Sequence, residues 1–170
     1  MEHGSTEGLT AAEVLRVLAV LDAAGLRAWV AGGWGVDALV GRQTRVHRDL
    51  DLALDVTHAT PERALSALKT LDYCVETDWR PSRVDLAAPP ARWVDLHPVV
   101  FDDQGTGWQA NIDDLPPFRY PPHAFTGGLI NGSGVRCLSV PQQLLFHRGY
   151  PPRPHDLADV ALLQGLQSTI

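Results

Sequence analysis

Two aspartates, Asp49 and Asp51, stand two residues apart in a segment where they alternate with leucines. Side chains at i and i+2 of a strand project from the same face, so both carboxylates point one way while Leu50 and Leu52 point the other way into a core. Two like charges held this close repel each other unless a cation lies between them. Because hard divalent ions prefer oxygen ligands, the pair predicts a Mg²⁺-binding strand.

A pair of glycines, Gly32 and Gly33, stands just before a short helical pattern that begins near Trp34. Glycine lets another group approach the backbone closely, and a helix start presents free N–H groups and a positive dipole end to an anion. The glycines precede the aspartate strand by one short helix and a loop. A phosphate cradle followed by a carboxylate clamp in this order predicts a nucleoside triphosphate site.

A third carboxylate, Asp95, lies in the alternating segment Trp93-Val94-Asp95-Leu96-His97, which predicts a polar strand face that carries it. Two-metal phosphoryl transfer uses carboxylates that hold two ions about 3.5–4 Å apart. Asp49 and Asp51 could bridge both ions, and Asp95 could hold the ion at the acceptor or act as the base. The simpler alternative is a strand-end carboxylate paired with an arginine.

The same alternation places Arg83 and Asp85 on one strand face. Arg83 could hold a phosphate through its planar fork, and Asp85 could accept a hydrogen bond from the acceptor or serve as an alternative base. A surface ion pair of Arg83 with Asp85 or Asp95 is an equally good interpretation. Trp34 could lie at the nucleotide or simply pack in the core.

The spacing of these residues resembles a known signature. Gly32-Gly33 followed by Asp49-Leu50-Asp51-Leu52 looks like that of the polymerase-β-like nucleotidyltransferase superfamily, although the gap of 15 residues is at the long end. The fuller string, Gly32-Gly33-Trp34-Gly35-Val36-Asp37 with Gly41, Arg45 and His47-Arg48-Asp49-Leu50-Asp51, resembles the small antibiotic nucleotidyltransferases. It is most similar to the short lincosamide enzymes and next to the aminoglycoside 2″-nucleotidyltransferases.

The resemblance implies an activity. A nucleoside monophosphate would pass from a nucleoside triphosphate, with ATP expected, to a hydroxyl of a small antibiotic, with two Mg²⁺ ions as cofactors. The favoured acceptor is a lincosamide, and the alternatives are an aminoglycoside 2″-hydroxyl or a protein side chain, as in toxin–antitoxin nucleotidyltransferases. A nucleotide-binding regulatory module that has lost catalysis is a further alternative, against which the presence of all three carboxylates speaks.

The resemblance also implies roles for residues. The expected catalytic and metal-binding residues are Asp49, Asp51 and Asp95. The expected nucleotide-binding residues are Gly32, Gly33, Trp34, Arg45, His47 and Arg83. Two acceptor-side candidates are Asp85 and His147, the latter in Phe146-His147-Arg148-Gly149-Tyr150, which is similar to a family string. The proline-rich stretch 116–122 departs from the family pattern and leaves acceptor specificity open.

Helix and strand patterns must position these residues. Thr10-Ala11-Ala12-Glu13 predicts a capped helix that ends near Gly25. The remaining predicted helices are 34–40, 61–71, 141–148 and 156–166, and the predicted strands are 26–31, 49–55, 73–77, 83–87, 92–97 and a hairpin of 125–130 with 135–138. Residues 101–122 are predicted to form an ordered loop or lid.

This order of elements predicts an α/β (α+β) fold with a mixed sheet flanked by helices. The resemblance implies the minimal nucleotidyltransferase fold with a C-terminal helical extension. A chain of 170 residues suits a single domain, with a core of about 10–100 followed by the loop, hairpin and helices of 101–170.

The net charge of −6 argues against a nucleic-acid partner and suits a small cationic acceptor beside the nucleotide. Met1 to Gly8 is polar, so no signal peptide is expected, and no apolar run approaches the ~18 residues of a membrane span. The two cysteines need not pair, which favours a cytoplasmic location. A homodimer that completes the acceptor cleft is a further expectation.

Overall fold

The computed structural model describes residues 8–148 and 150–168. Its helices are α1 (Ala11–Ala23), α2 (Gly32–Val40), α3 (Pro61–Lys69), α4 (Val140–Phe146) and α5 (Pro154–Gln167). Its strands are β1 (Ala28–Ala31), β2 (Asp49–Asp55), β3 (Cys74–Trp79), β4 (Arg83–Ala88), β5 (Arg92–Phe101), β6 (Gly107–Gln109), β7 (Phe118–Tyr120), β8 (Phe125–Ile130) and β9 (Ser133–Leu138). A 3₁₀ turn covers Pro122–Ala124.

The strands form a mixed sheet in the order β3-β4-β5-β2-β1-β9-β8, with β6 and β7 added to the end of β5. β2 runs parallel to β5, and β1 runs parallel to β9, while the other neighbouring strands are antiparallel. The predicted mixed sheet flanked by helices is confirmed, as is the pair of helices near the C-terminus.

The two faces of β2 have different surroundings, as alternation requires. Leu50, Leu52 and Leu54 are fully buried in the main core, together with apolar residues of α1, α2 and α3. Asp49 and Asp51 lie on the opposite face, which a smaller apolar cluster around Trp29 and Tyr120 shares. The helices of the main core therefore support the sheet from behind, and the carboxylate face is left for the site.

Several predicted boundaries differ from the structure. α2 begins at Gly32, so the glycines form the first helical turn instead of preceding it. The stretch 101–122, predicted to be a loop or lid, contains β6 and β7, because their three-residue strands are too short to show a period in sequence. Thr60 is the residue before α3, but its side chain makes no capping hydrogen bond.

The structure bears only partly on the expectations about a membrane span and a signal peptide. None of the helices in the described residues is long and apolar enough to cross a membrane. Most of the segment on which the signal-peptide prediction depends, residues 1–7, lies outside the described residues. Cys74 and Cys137 are both free thiols, as expected.

Candidate active site

Three neighbouring strands bring the predicted carboxylates into one row. β2 and β5 are parallel with Asp51 paired with Asp95, and β4 is antiparallel to β5 with Asp85 paired with Asp95. Adjacent strands lie about 4.8 Å apart, so Asp95 has a carboxylate on either side of it. Asp49 shares the face of Asp51 and is hydrogen-bonded to Asp95.

The crowding changes how these groups hold protons. Burial, followed by the charges of Asp51, Asp85 and Asp49, raises the pKa of Asp95 to about 8. Burial and the charge of Asp51 also raise the pKa of Asp49. A carboxylate–carboxylate hydrogen bond requires that one of the two groups is protonated, because two like charges this close repel each other. Within the described residues, no three His, Cys, Asp or Glu side chains already stand in a metal-coordinating arrangement.

The first turn of α2 directly contacts this cluster. A β-carbon on Gly32 would lie 2.3 Å from Asp51 Oδ2, and the backbone of Gly32 has a φ of +59°, so no other residue fits well there. A β-carbon on Gly33 would lie 2.4 Å from His47 Nδ1. The N-cap residue Ala31 offers no side-chain cap, so the first N–H groups of α2 are not capped by it.

A cleft of about 850 Å³ opens over the carboxylate face. Most of the predicted residues line it, namely Gly32, Gly33, Arg45, His47, Asp49, Asp51, Arg83, Asp95 and His147. Arg48 and Arg153 add two further cations to the lining. The cleft thus combines an anionic row with surrounding guanidinium groups, a charge pattern suited to a metal-bound phosphate chain.

Two predicted residues do not line the cleft. Trp34 is 1% exposed and packs against the His47 ring at 4.8 Å between centroids, so it belongs to the core beneath the site. Asp85 stands beside Asp95 but pairs with Arg83 at 3.3 Å. Of the interpretations left open for Arg83 and Asp85, the ion pair is present, and Arg83 also lines the cleft.

The loop before β2 is held by partners that sequence reasoning did not find. Arg45 donates to both carboxylate oxygens of Asp159 on α5, at 3.3 and 2.9 Å. His47, 2% exposed, is hydrogen-bonded through Nε2 to Asp37 of α2, while its Nδ1 has no hydrogen-bond partner. The C-terminal helix and α2 therefore both position this loop.

His147 follows α4 and also faces Asp159. Its Nδ1 is 2.7 Å from the Gln143 carbonyl, and its Nε2 is 3.9 Å from Asp159 Oδ2. The interaction with the Asp159 carboxylate raises the pKa of His147. Conversely, although burial acts to raise it, the neighbouring His147 and Arg45 side chains lower the pKa of Asp159. The His147 side chain thus takes part in a local network at the cleft wall.

Further side chains of the site carried weaker signals in the sequence. His97 shares the polar face of Asp95 and contacts Asp51. Gln143 donates to the Gly32 carbonyl at 3.2 Å, although the two residues are 111 positions apart in the chain. The Gln109 side chain, on β6, contacts His97. Alternation along β5 could have indicated His97. Gln143 and Asp159 have no local signal, because their partners are distant in the chain.

Comparisons with known proteins agree on one family. The model of the family described as aminoglycoside-2″-adenylyltransferase matches residues 13–163. A lincosamide resistance protein of Staphylococcus haemolyticus is 31% identical over 158 residues, which are 93% of this chain and 96% of that protein. A 2″-aminoglycoside nucleotidyltransferase of Escherichia coli is 49% identical over 124 residues, which are 73% of this chain and 64% of that protein.

Solved structures show the same likeness. The lincosamide antibiotic adenylyltransferase LnuA, solved with lincomycin bound, has a TM-score of 0.83 at 31% identity, with 94% of this chain and 99% of that chain covered. ANT(2″)-Ia in complex with adenylyl-2″-tobramycin has a TM-score of 0.69 at 20% identity, covering 94% and 95%, which shows the shared fold. The chain therefore belongs to the aminoglycoside-2″-adenylyltransferase family and is a nucleotidyltransferase of the antibiotic-resistance type.

Proposed function

We propose that this nucleotidyltransferase uses ATP and two Mg²⁺ ions to adenylylate a hydroxyl of a lincosamide antibiotic. The observation that carries the proposal is the convergence of Asp49, Asp51 and Asp95 on one sheet face, against the first turn of α2 and inside a cleft. Carboxylate oxygens beside a helix N-terminus support this proposal, because a metal-bound triphosphate needs both.

The triphosphate would lie along the start of α2. Gly32 and Gly33 have no side chains to cover this turn, so its backbone N–H groups would be open to an anion. His47 adds a buried ring nitrogen without a partner beside Gly33. Arg45 and Arg83 supply guanidinium forks from the cleft wall.

The donor set of the carboxylates fits Mg²⁺. All three side chains are hard oxygen ligands, and they crowd one another enough to raise the pKa values of Asp49 and Asp95. A divalent cation held by these oxygens would neutralise the repulsion. When bound, such ions polarise the phosphate oxygens and acidify the attacking hydroxyl.

The chain's own residues would accept the proton and stabilise the developing charge. The acceptor hydroxyl oxygen attacks the α-phosphorus, a new P–O bond forms, and the bond to the leaving pyrophosphate breaks. Asp95, on the strand next to the β2 pair, would take the hydroxyl proton. Guanidinium groups such as Arg45 and Arg83 would stabilise the charge that develops on the phosphate oxygens.

The acceptor class is supported by the coverage of the lincosamide relatives and by charge. The lincosamide resistance protein matches over 96% of its own length, and the lincomycin-bound structure is covered to 99%. The net charge of −6 favours a small cationic acceptor over RNA or DNA. The main alternative is an aminoglycoside, favoured by the 49% identity to the 2″-aminoglycoside enzyme over a shorter stretch.

A direct transfer experiment tests the proposal. The purified protein is incubated with ATP, Mg²⁺ and either lincomycin or tobramycin, and the products are identified by mass spectrometry together with pyrophosphate release. We expect adenylylated lincomycin with matching pyrophosphate, and no product in the presence of a metal chelator. Faster adenylylation of tobramycin would assign the alternative acceptor.

Transfer to neither drug, with nucleotide binding intact by calorimetry, would contradict the proposal and favour a binding module. The same calorimetric experiment without Mg²⁺ separates metal-dependent from metal-independent binding. Gel-shift experiments with RNA at low salt test the expected absence of a nucleic-acid partner, because phosphate contacts are strongest there.

A further inference from the structure

His97 lies between one of the β2 aspartates and a buried amide. Its Nε2 is 3.2 Å from Asp51 Oδ1, and its Nδ1 is 3.3 Å from Gln109 Nε2. A neutral imidazole carries one ring hydrogen, and the neighbours decide which nitrogen holds it. The position of that hydrogen determines whether His97 can donate to Asp51.

The orientation of the Gln109 amide follows from its other two partners. The Ser82 carbonyl lies 3.0 Å from Nε2, and the Tyr120 hydroxyl donates to Oε1. A backbone carbonyl can only accept, so the NH₂ group must face Ser82 and the amide oxygen must face Tyr120. One amide hydrogen goes to Ser82, and the second points to His97 Nδ1.

The remaining hydrogen is then determined. Because Gln109 donates to Nδ1, that nitrogen is an acceptor, and neutral His97 carries its hydrogen on Nε2. We propose that His97 is a positioning residue that holds Asp51 by donating its Nε2–H, and that Gln109 imposes the required tautomer. The consequence for catalysis rests on the metal-binding role proposed above for Asp51.

Both oxygens of Asp51 have close neighbours in this arrangement. Oδ1 accepts from His97, and Oδ2 packs against Gly32, where a β-carbon would be 2.3 Å away. The hydrogen bond on one oxygen and the packing on the other restrict rotation of the carboxylate. Loss of such an outer partner of a metal ligand costs roughly 10–100-fold in metal affinity or activity.

The tautomer can be observed without any turnover. Long-range ¹H–¹⁵N correlation spectra of the ¹⁵N-labelled full chain, free of metal and nucleotide, distinguish a ring hydrogen on Nε2 from one on Nδ1. His97→Gln identifies the His97 signals by their loss. We expect the Nε2–H pattern for His97 in the wild-type protein at a pH where the ring is neutral.

Matched variants then connect the tautomer to function. The amide of His97→Gln keeps an acceptor toward Gln109 and a donor toward Asp51, so we expect activity within a few-fold of wild type. His97→Leu keeps the bulk but loses both, and we expect transfer to fall by about 10–100-fold. The carboxylate of Gln109→Glu should accept a hydrogen bond from Nδ1, which would move the ring hydrogen of His97 to Nδ1. We expect a similar loss of transfer. Gln104→Glu, an exposed change, is the control.

The outcomes separate this proposal from the proposed function. An Nδ1–H pattern in the wild type would overturn it, as would a folded His97→Leu variant with wild-type transfer or a His97→Gln variant as impaired as His97→Leu. If Asp51→Asn stays active, the metal assignment fails, but the wild-type tautomer measurement still tests the hydrogen-bond chain. Backbone amide spectra of each variant check that it is folded.

Discussion

Replacing Gly33 with alanine should impair nucleotide use without unfolding α2. Gly33 lies in the first turn of the helix with an ordinary helical backbone, where alanine is favoured over glycine by about 1 kcal/mol. Its added β-carbon, however, would lie 2.4 Å from His47 Nδ1 and 2.7 Å from Arg45 Nη2. The local helix preference and the packing around the site therefore act in opposite directions.

The size of the effect follows from the contact. Ordinary contact for a β-carbon begins at 3.4 Å, so the His47 ring or the helix turn must move by about 1 Å. His47 is 2% exposed and bonded to Asp37, so the ring has little freedom to yield. A displacement of about 1 Å in a positioning group can cost about 100-fold in rate. We expect that loss in kcat/KM for ATP.

The assay combines pyrophosphate release at low ATP with thermal unfolding. Gly165→Ala is the matched control, because Gly165 lies inside α5 and its added β-carbon meets no atom within 4 Å. The control should keep full activity and raise Tm by about 2–4 °C for about 1 kcal/mol of added helix stability. A folded Gly33→Ala variant within about threefold of the wild-type kcat/KM would refute the placement of the triphosphate at this turn.

Replacing either aspartate of the β2 pair with asparagine should lower the transfer rate by at least about 100-fold, because metal ligands of this kind contribute several kcal/mol to stabilising the transition state. A variant that keeps a tenth of the wild-type rate would contradict the proposed metal-binding role. Asp95→Asn should bind Mg²⁺-ATP nearly normally by calorimetry yet transfer almost nothing at any ATP concentration. If Asp85→Asn is inactive and Asp95→Asn active, the base is misassigned. His147→Gln should lower the free energy of unfolding most below about pH 6.5. The interaction with Asp159 raises the pKa of His147, and this stabilisation is lost as pH rises through the raised pKa. Urea unfolding at pH 5.5 and 8.5 measures the difference, and a larger loss at the higher pH would contradict it.

The predictions from sequence succeeded where the signal is local. Alternation in β2 and β5 correctly placed Asp49, Asp51 and Asp95 on one polar face, because side-chain direction in a strand has a period of two. Helical spacing and the turn residues placed the five α-helices of the described residues to within a few residues. The prediction was wrong for residues 101–122, since β6 and β7 depend on pairing with β5 and with each other.

The roles of single residues were harder to predict. Trp34 stands beside the glycines in sequence, yet one residue further along a helix turns a side chain by about 100°, and it points into the core. Arg45 was expected at the nucleotide from its place in the family string. The structure adds that Asp159, 114 positions later in the chain, accepts hydrogen bonds from its guanidinium group.

The sequence by itself predicts the class of chemistry, nucleotidyl transfer. The glycine turn, the aspartate pair and the third aspartate each belong to one continuous segment, and their residue types and spacing already predict a metal-bound phosphate site. Only the tertiary structure decided which side chains hold those groups in place. The Asp159–Arg45 pair, the Gln143–Gly32 contact and the chain from Tyr120 through Gln109 to His97 join distant segments. Such contacts depend on strand order and helix packing, which local patterns do not encode.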